Sequence, residues 1–148
     1  MPVYRHLLLA VDLAADSLQV AQRARALAIA LDAELDIVHV IEPVPVVATI
    51  PPESVGSQVV TAQAALIEAA QTHIANLARE IGIPETRGHV LTGNIKTEIV
   101  RLAAERGVDL IVIGSREQHG LALLIRPTED VVIHQAPCDV LAVRLHGG

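Results

Sequence analysis

Short apolar segments alternate with longer segments of helical spacing along the whole chain. Apolar residues recur every three or four positions after Asp16, Ser57 and Asn94, which predicts three helices, and a short fourth helix is expected over residues 128–135. The short segments have the length of strands, and the first and fourth are apolar almost throughout, as is typical of strands covered on both faces. Five strands are therefore predicted, over residues 4–11, 35–41, 86–91, 108–114 and 138–145.

This alternation of strand and helix predicts a parallel sheet with right-handed crossovers, which is an open doubly wound α/β fold. We expect the strand order 3-2-1-4-5 and, from the length of 148 residues, a single domain over residues 1–148. In such a sheet, ligands bind beyond the carboxyl ends of the strands, at the switch point between the first and fourth strands. The candidate site therefore lies at residues 11–13 and from Gly114 onward.

Composition and charge exclude several classes of partner. The formal net charge is −6 and no run of Lys or Arg is present, so the sequence lacks the cluster of positive charges that binds the phosphates of nucleic acid. Tyr4 is the only aromatic residue, which leaves no platform for stacking bases. No apolar run is long enough to span a bilayer, and no signal-peptide pattern follows Met1. We expect a cytoplasmic protein without nucleic-acid or membrane partners.

The candidate reactive residues lack the spacing that catalysis or metal binding needs. None of the seven histidines forms an H-x-H or H-x3-H pair, so no metal site is predicted. Cys138 follows Pro137 at the start of a strand and is interpreted as a small packing residue. Ser115 lacks the G-x-S-x-G pattern of a hydrolase nucleophile. A receiver domain would need Asp at the end of the third strand, where residues 90–93 read VLTG. We therefore predict no catalytic residue.

Four segments, in the same order and at similar distances, resemble the universal stress protein family. They are HLLLAVDLAADS from His6, IVHV from Ile37, VDLIVIGS from Val108 and HQAPCDVL from His134. The resemblance implies a small cytoplasmic stress-response protein, some of whose relatives bind ATP or another adenine nucleotide, with no defined reaction. It also implies a homodimer, which we expect to form through the last strand because an apolar edge strand needs cover. A further protein partner is expected but not identified.

The resemblance also points to the residues that would contact a nucleotide. In nucleotide-binding relatives, the acidic residue after the first strand and the end of the second strand hold the ribose and adenine, which corresponds to Asp12 and Val40. The phosphates lie in a loop of pattern G-x2-G-x9-G-[ST], which begins here at Gly114-Ser115 and ends at Thr128. From the residues alone, Asp12 and Thr128 equally suit helix caps, and Gly114 suits a tight exit from the strand.

The loop departs from that pattern where the phosphates would lie. Glu117 and Pro127 occupy the second and third glycine positions; in a loop one residue shorter, Arg126 and Pro127 take the glycine and hydroxyl positions. A phosphate cradle needs inward-pointing amides, and Pro127 has no N–H. We therefore predict weak or absent ATP binding. The alternative is an ATP-binding protein, with slow hydrolysis, in which Arg116 and Arg126 compensate.

Overall fold

The computed structural model describes residues 3–12, 17–42, 57–116 and 136–145. The expected helix over 128–135 lies outside these ranges, as does nearly all of the loop that four prolines predict between Glu42 and Pro52. Within them, a single 3-10 turn, Glu85–Arg87, precedes the third strand. The strands and helices are β1 (His6–Ala10), α1 (Ser17–Leu31), β2 (Glu34–Ile41), α2 (Ser57–Ile81), β3 (Gly88–Thr92), α3 (Ile95–Glu105), β4 (Leu110–Arg116) and β5 (Asp139–Leu145).

The five strands form one parallel sheet in the order β3-β2-β1-β4-β5, which confirms the predicted topology. β1 is central, and Leu7 pairs with Leu35 on one side and Leu110 on the other. Leu7, Leu8 and Leu9 are fully buried. Because both faces of β1 are covered, its sequence is apolar without alternation.

Each face of the sheet carries its own aliphatic core. α1 and α2 cover the face that bears Leu7, Leu9 and Ile37. α3 covers the opposite face, which bears Leu8 and Ile111. The single tyrosine, Tyr4, lies outside the fully buried core, and its hydroxyl donates to Asp139 Oδ2 at 2.7 Å, at the start of β5.

Three strands begin two residues later than predicted: β1 at His6, β3 at Gly88 and β4 at Leu110. Residues 85–87 form the 3-10 turn, so β3 begins at Gly88 rather than at residue 86. A Cβ at position 88 would lie 2.5 Å from Ile74 Cγ2, so the glycine lets α2 pass close to the start of β3. β4 begins at Leu110 rather than at residue 108, because the Val108 amide still donates to Ala103 O at the end of α3.

Both ends of α3 are capped, and its start after Asn94 is as predicted. Asn94 is the N-cap, and its Oδ1 accepts a hydrogen bond from the Thr97 amide at 3.0 Å. Gly107 follows the C-cap residue Arg106 with a φ of +65°, a conformation that glycine adopts without strain.

One carboxylate is completely buried in the sheet. Asp36 in β2 has 0% exposure, and each of its oxygens accepts from two donors. Oδ1 lies 2.9 Å from both His6 Nε2 and Arg87 Nη1. Oδ2 lies 2.7 Å from His89 Nε2 and 3.0 Å from Arg106 Nε. A carboxylate offers about four acceptor positions, so these four side chains satisfy the hydrogen-bonding capacity of Asp36. Asp36 and its four partners are called the Asp36 cluster below.

The Asp36 cluster joins four segments of the chain at the amino edge of the sheet. His6 begins β1, Arg87 immediately precedes β3, and Arg106 caps α3. Burial by itself would raise the pKa of the Asp36 carboxyl group. Hydrogen bonds from His89, His6 and Arg87 outweigh burial and hold that pKa below its ordinary value. The ionised carboxylate therefore stabilises the folded state.

Replacing Asp36 with Asn should lower the free energy of unfolding by about 1.5–3 kcal/mol, because the buried amide loses its charged hydrogen bonds and its NH2 group faces donors. A pKa lowered by folding gives stabilisation that is present above the unfolded value of about 3.9 and is lost as the pH falls through the folded value. Urea denaturation from neutral pH down to about pH 3 should therefore show the difference between wild type and Asp36→Asn shrinking.

The matched control is Glu34→Gln on the same strand. The Glu34 side chain is 62% exposed and contacts Arg87, so its replacement should cost under about 1 kcal/mol. A difference between wild type and Asp36→Asn that stays constant across the acid range would contradict the ionised, hydrogen-bonded state of Asp36.

Candidate functional site

The candidate site lies at the carboxyl edge of the sheet, opposite the Asp36 cluster. The pairing of β1 with β2 ends at Ala10 and Val38, whereas β2 continues to Ile41 in register with β3. The end of β2 therefore extends beyond its pairing with β1, at the edge where Val11 and Asp12 follow β1. Ligands of doubly wound folds bind beyond the carboxyl ends of the strands at the switch point, which lies here between β1 and β4, so Val11 and Asp12 border it.

Both peptide groups of Val11 are held by β2. The Val11 amide donates to Val38 O at 3.0 Å, and the Val11 carbonyl oxygen accepts from His39 Nδ1 at 2.9 Å. A carbonyl oxygen can only accept, so Nδ1 of His39 carries its ring proton. These two hydrogen bonds fix the backbone from which the exposed Asp12 projects.

The other predicted contact residues lie in different surroundings. The Val40 side chain is 6% exposed and belongs to the core beneath α3, so only the backbone of Val40 is suited to meet a ligand. Gly114 and Ser115 lie within β4, in register with Val143 and Arg144 of β5. The interpretation of Gly114 as a tight exit is therefore wrong, because β4 continues to residue 116. Thr128, Glu117 and Pro127 lie outside the described residues.

The segment after β3 completes the described part of this edge. The Gly93 amide donates to Ile41 O at 2.9 Å, and the Ile95 amide lies 3.5 Å from Glu42 Oε1. Sequence reasoning singled out neither Glu42 nor His39 as a site residue. The signal for His39 is a lone imidazole in the otherwise apolar run of residues 37–41.

A serine and a histidine meet where α1 begins. The Ser17 hydroxyl, which is 5% exposed, lies 3.2 Å from Nε2 of His73 in α2. This contact links the start of α1 to the helix that packs on the same face of the sheet.

The cysteine thiol is held in its protonated form. Burial, followed by the charges of Asp109 and Asp139, raises the pKa of the Cys138 thiol. A protonated, half-buried thiol is a poor nucleophile. This agrees with the interpretation of Cys138 as a packing residue.

The described residues contain neither a cluster suited to a metal ion nor a helix suited to span a membrane. In residues 3–12, 17–42, 57–116 and 136–145, no three His, Cys, Asp or Glu side chains are grouped so as to hold a metal ion. No helix in the same part of the chain combines the length and the apolar character needed to cross a bilayer.

Comparison with known proteins gives a consistent result over the whole chain. The family model of the universal stress protein family matches residues 3–144. Universal stress protein A homolog 1 of Coxiella burnetii is 35% identical over 145 residues, which cover 95% of this chain and 96% of that relative.

Solved structures share the fold at lower identity. Universal stress protein UspA from Lactobacillus plantarum superposes with a TM-score of 0.71 and 23% identity, over 95% of this chain and 98% of that one. A universal stress protein crystallised in complex with cAMP gives a TM-score of 0.61 and 22% identity, over 95% and 96% of the two chains.

The hydrogen bond from His39 to the Val11 carbonyl generates a direct test of the site geometry. His39→Leu removes the donor and should lower the free energy of unfolding by about 0.5–1.5 kcal/mol more than His39→Asn does. Asn is the matched variant because its side-chain amide nitrogen can occupy nearly the position of Nδ1. Urea denaturation of both variants measures the difference, and equal losses would show that this bond does not hold the Val11 peptide.

Proposed function

The chain belongs to the universal stress protein family, and from this premise we propose that it is a cytoplasmic regulatory protein of the stress response. In this proposal it acts as a homodimer, has no catalytic role, and binds ATP weakly or not at all. The observation that carries the nucleotide part is the sequence of the phosphate loop. Glu117 and Pro127 stand where the family pattern has glycine, while Asp12 and Val40 keep the positions expected for ribose and adenine.

Electrostatics supports a preference for nucleotides with few phosphates. A triphosphate needs several inward amides, and Pro127 supplies none. Glu117 adds a negative charge to the loop where the phosphates would lie. The Val11 carbonyl and amide are both engaged by β2, so the backbone before Asp12 is already ordered for a ribose contact. A solved structure of the same fold contains cAMP, a nucleotide with one phosphate group, which makes adenine nucleotides the ligand class to test.

The second candidate function is an ATP-binding protein with slow hydrolysis. The observation that favours it is the presence of Arg116 and Arg126 at the two ends of the loop, where guanidinium groups can pair with phosphate. The two candidates differ in one measurable quantity, the affinity of the unmodified chain for ATP.

Isothermal titration calorimetry with ATP, AMP and cAMP separates the two candidates. The unmodified protein should bind ATP no more tightly than the two monophosphates. A repaired loop carrying Glu117→Gly, Arg126→Gly and Pro127→Ser should bind ATP more tightly, since each restored hydrogen bond to phosphate contributes about 1.5–3 kcal/mol before ordering costs.

Asp12→Ala in the repaired loop is the control, and it should remove the binding that the repair creates. Low-micromolar or tighter binding of ATP to the unmodified protein, lost on Asp12→Ala, would contradict the first candidate and support the second.

The homodimer is proposed to form through β5. This strand lies at one end of the sheet, so one side of its backbone has no neighbour among the described strands. Leu141 is 38% exposed, Ala142 is exposed and Val140 is half-buried, which gives the edge an apolar surface. Exposed apolar edges are a hazard that proteins cover, and pairing of two identical edges about a two-fold axis does so. A further protein partner remains part of the proposal without an assigned surface.

Sedimentation velocity tests the dimer. The wild-type protein should sediment as a dimer at micromolar concentration, and Leu141→Glu should shift it towards monomer by placing like charges at the two-fold contact. Leu66→Glu is the matched control, because Leu66 is a 50% exposed apolar residue on α2, which packs on β2 and β3. A monomeric wild type, or equal dissociation in both variants, would show that β5 is not the interface.

A further inference from the structure

Both ring nitrogens of His6 face oxygen atoms. Nε2 lies 2.9 Å from Asp36 Oδ1, and Nδ1 lies 3.1 Å from the backbone carbonyl oxygen of Arg106. A neutral imidazole has only one N–H and can satisfy only one acceptor. The ring satisfies both oxygens only when it carries two protons, as an imidazolium cation.

A proton on Asp36 does not offer another solution. Arg87 donates to Oδ1 and Arg106 donates to Oδ2, and a guanidinium group cannot accept a hydrogen bond. His89 Nε2 is also 2.7 Å from Oδ2. Each oxygen of Asp36 therefore accepts from a permanent cation, and Asp36 is the anion of the cluster.

Charged groups approach His6 from every neighbouring element. Arg87 Nη2 lies 3.2 Å from Glu34 Oε1, and Asp109 accepts from the backbone amides of Arg5 at 2.8 Å and His6 at 3.0 Å. From β5, Asp139 accepts the Tyr4 hydroxyl. His89 shares Oδ2 of Asp36 with Arg106, whereas His6 shares Oδ1 with Arg87.

The end of α3 favours the same protonation state. Arg106 is the C-cap residue, so its carbonyl oxygen belongs to the negative end of the helix dipole. A cation in contact with that end is stabilised by the helix. Two independent features, a buried carboxylate on one side and a helix C-terminus on the other, therefore select the imidazolium form of His6.

We propose that His6 is a proton-operated clasp between Asp36 and the carboxyl end of α3. At neutral pH the ring keeps both protons and fixes the turn that leads from α3 to β4. At alkaline pH it loses the Nδ1 proton first, because the Nε2 bond to a carboxylate is the stronger of the two, and the Arg106 carbonyl is released. This inference concerns the amino edge of the sheet and is independent of the proposed nucleotide binding.

Loss of the hydrogen bond between His6 and the Arg106 carbonyl should loosen only the last turn of α3. The Asp109 amide donates to His6 O at 3.0 Å, and the Asp109 carboxylate holds the amides of Arg5 and His6. These bonds keep the start of β4 in register with β1 whatever the charge of His6. The Arg106 and Val108 amides, which donate to Leu102 O and Ala103 O, belong to the turn that loosens.

Nitrogen-15 NMR of the histidine rings in the full chain tests the protonation state directly. His89 is the internal control, because its bond to Asp36 needs only a neutral ring with a proton on Nε2. At neutral pH, both nitrogens of His6 should show protonated shifts, because both must donate for the two oxygens to be satisfied. A bare nitrogen on His6 at that pH would overturn the proposal. Sequential backbone assignment identifies the rings without any variant.

Hydrogen exchange tests the clasp itself. After correction for the intrinsic rate, the Arg106 and Val108 amides should lose protection by roughly tenfold to a hundredfold at alkaline pH, the effect expected of one hydrogen bond to a charged group. The sign follows from the geometry, because only a ring that carries two protons donates to both oxygens. The Ile111 amide in the sheet should not change.

Two variants separate the clasp from general destabilisation. His6→Gln should give low protection of these amides at every pH, and His89→Gln should keep the pH dependence of the wild type. Protection that does not vary with pH in the wild type, or pH dependence that persists in His6→Gln, would contradict the clasp.

Discussion

A carboxylate that is removed from water must obtain all of its solvation from the protein, and Asp36 obtains it from four side chains that are distant in the sequence. His6, Arg87, His89 and Arg106 reach it from the start of β1, the turn before β3, β3 itself and the end of α3. Their four polar atoms meet two oxygens only if β1, β2 and β3 are in the observed register and α3 ends where it does. Buried strands resist a one-residue slip because it exchanges the side chains of the two faces. The cluster and the apolar core therefore favour the same register of β1, β2 and β3.

The two edges of the sheet have different roles. The amino edge is closed by charged hydrogen bonds and by Asp109, which holds the entry to β4. At the carboxyl edge, β2 extends past its pairing with β1, and Asp12 lies exposed beside it. Rigid support on one edge allows the residues of the other edge to vary without loss of the fold, which is how one architecture serves different ligands. Changes such as Glu117 and Pro127 can therefore alter ligand binding in a family that keeps its sheet.

Local patterns in the sequence predict most of the fold and less of the site. The apolar runs, the helical spacing of α2 and the cap at Asn94 are short-range signals, and the structure confirms them. The start of β3 was misplaced because Thr86 suits a strand, while the turn over 85–87 depends on contact between α2 and Gly88. The partners of Asp36 and His39 could not be predicted, since pairs such as His39 with Val11 are set by strand register and leave no local pattern. Asp12 and Val40 were placed by topology and family resemblance, but recognition of a ligand depends on the loop beyond β4.

The scarcity of aromatic residues has an optical consequence. Tyr4 is the sole aromatic side chain of the sequence, and its hydroxyl donates to Asp139 at the first residue of β5. The hydrogen bond to that carboxylate raises the pKa of the Tyr4 phenol. In the absence of tryptophan, the near-ultraviolet absorption and the fluorescence of aromatic side chains therefore come from one residue, which joins the beginning of the chain to its last strand. An unfolding curve followed by tyrosine fluorescence reports the surroundings of Tyr4 at the start of β5 and not the average state of the core.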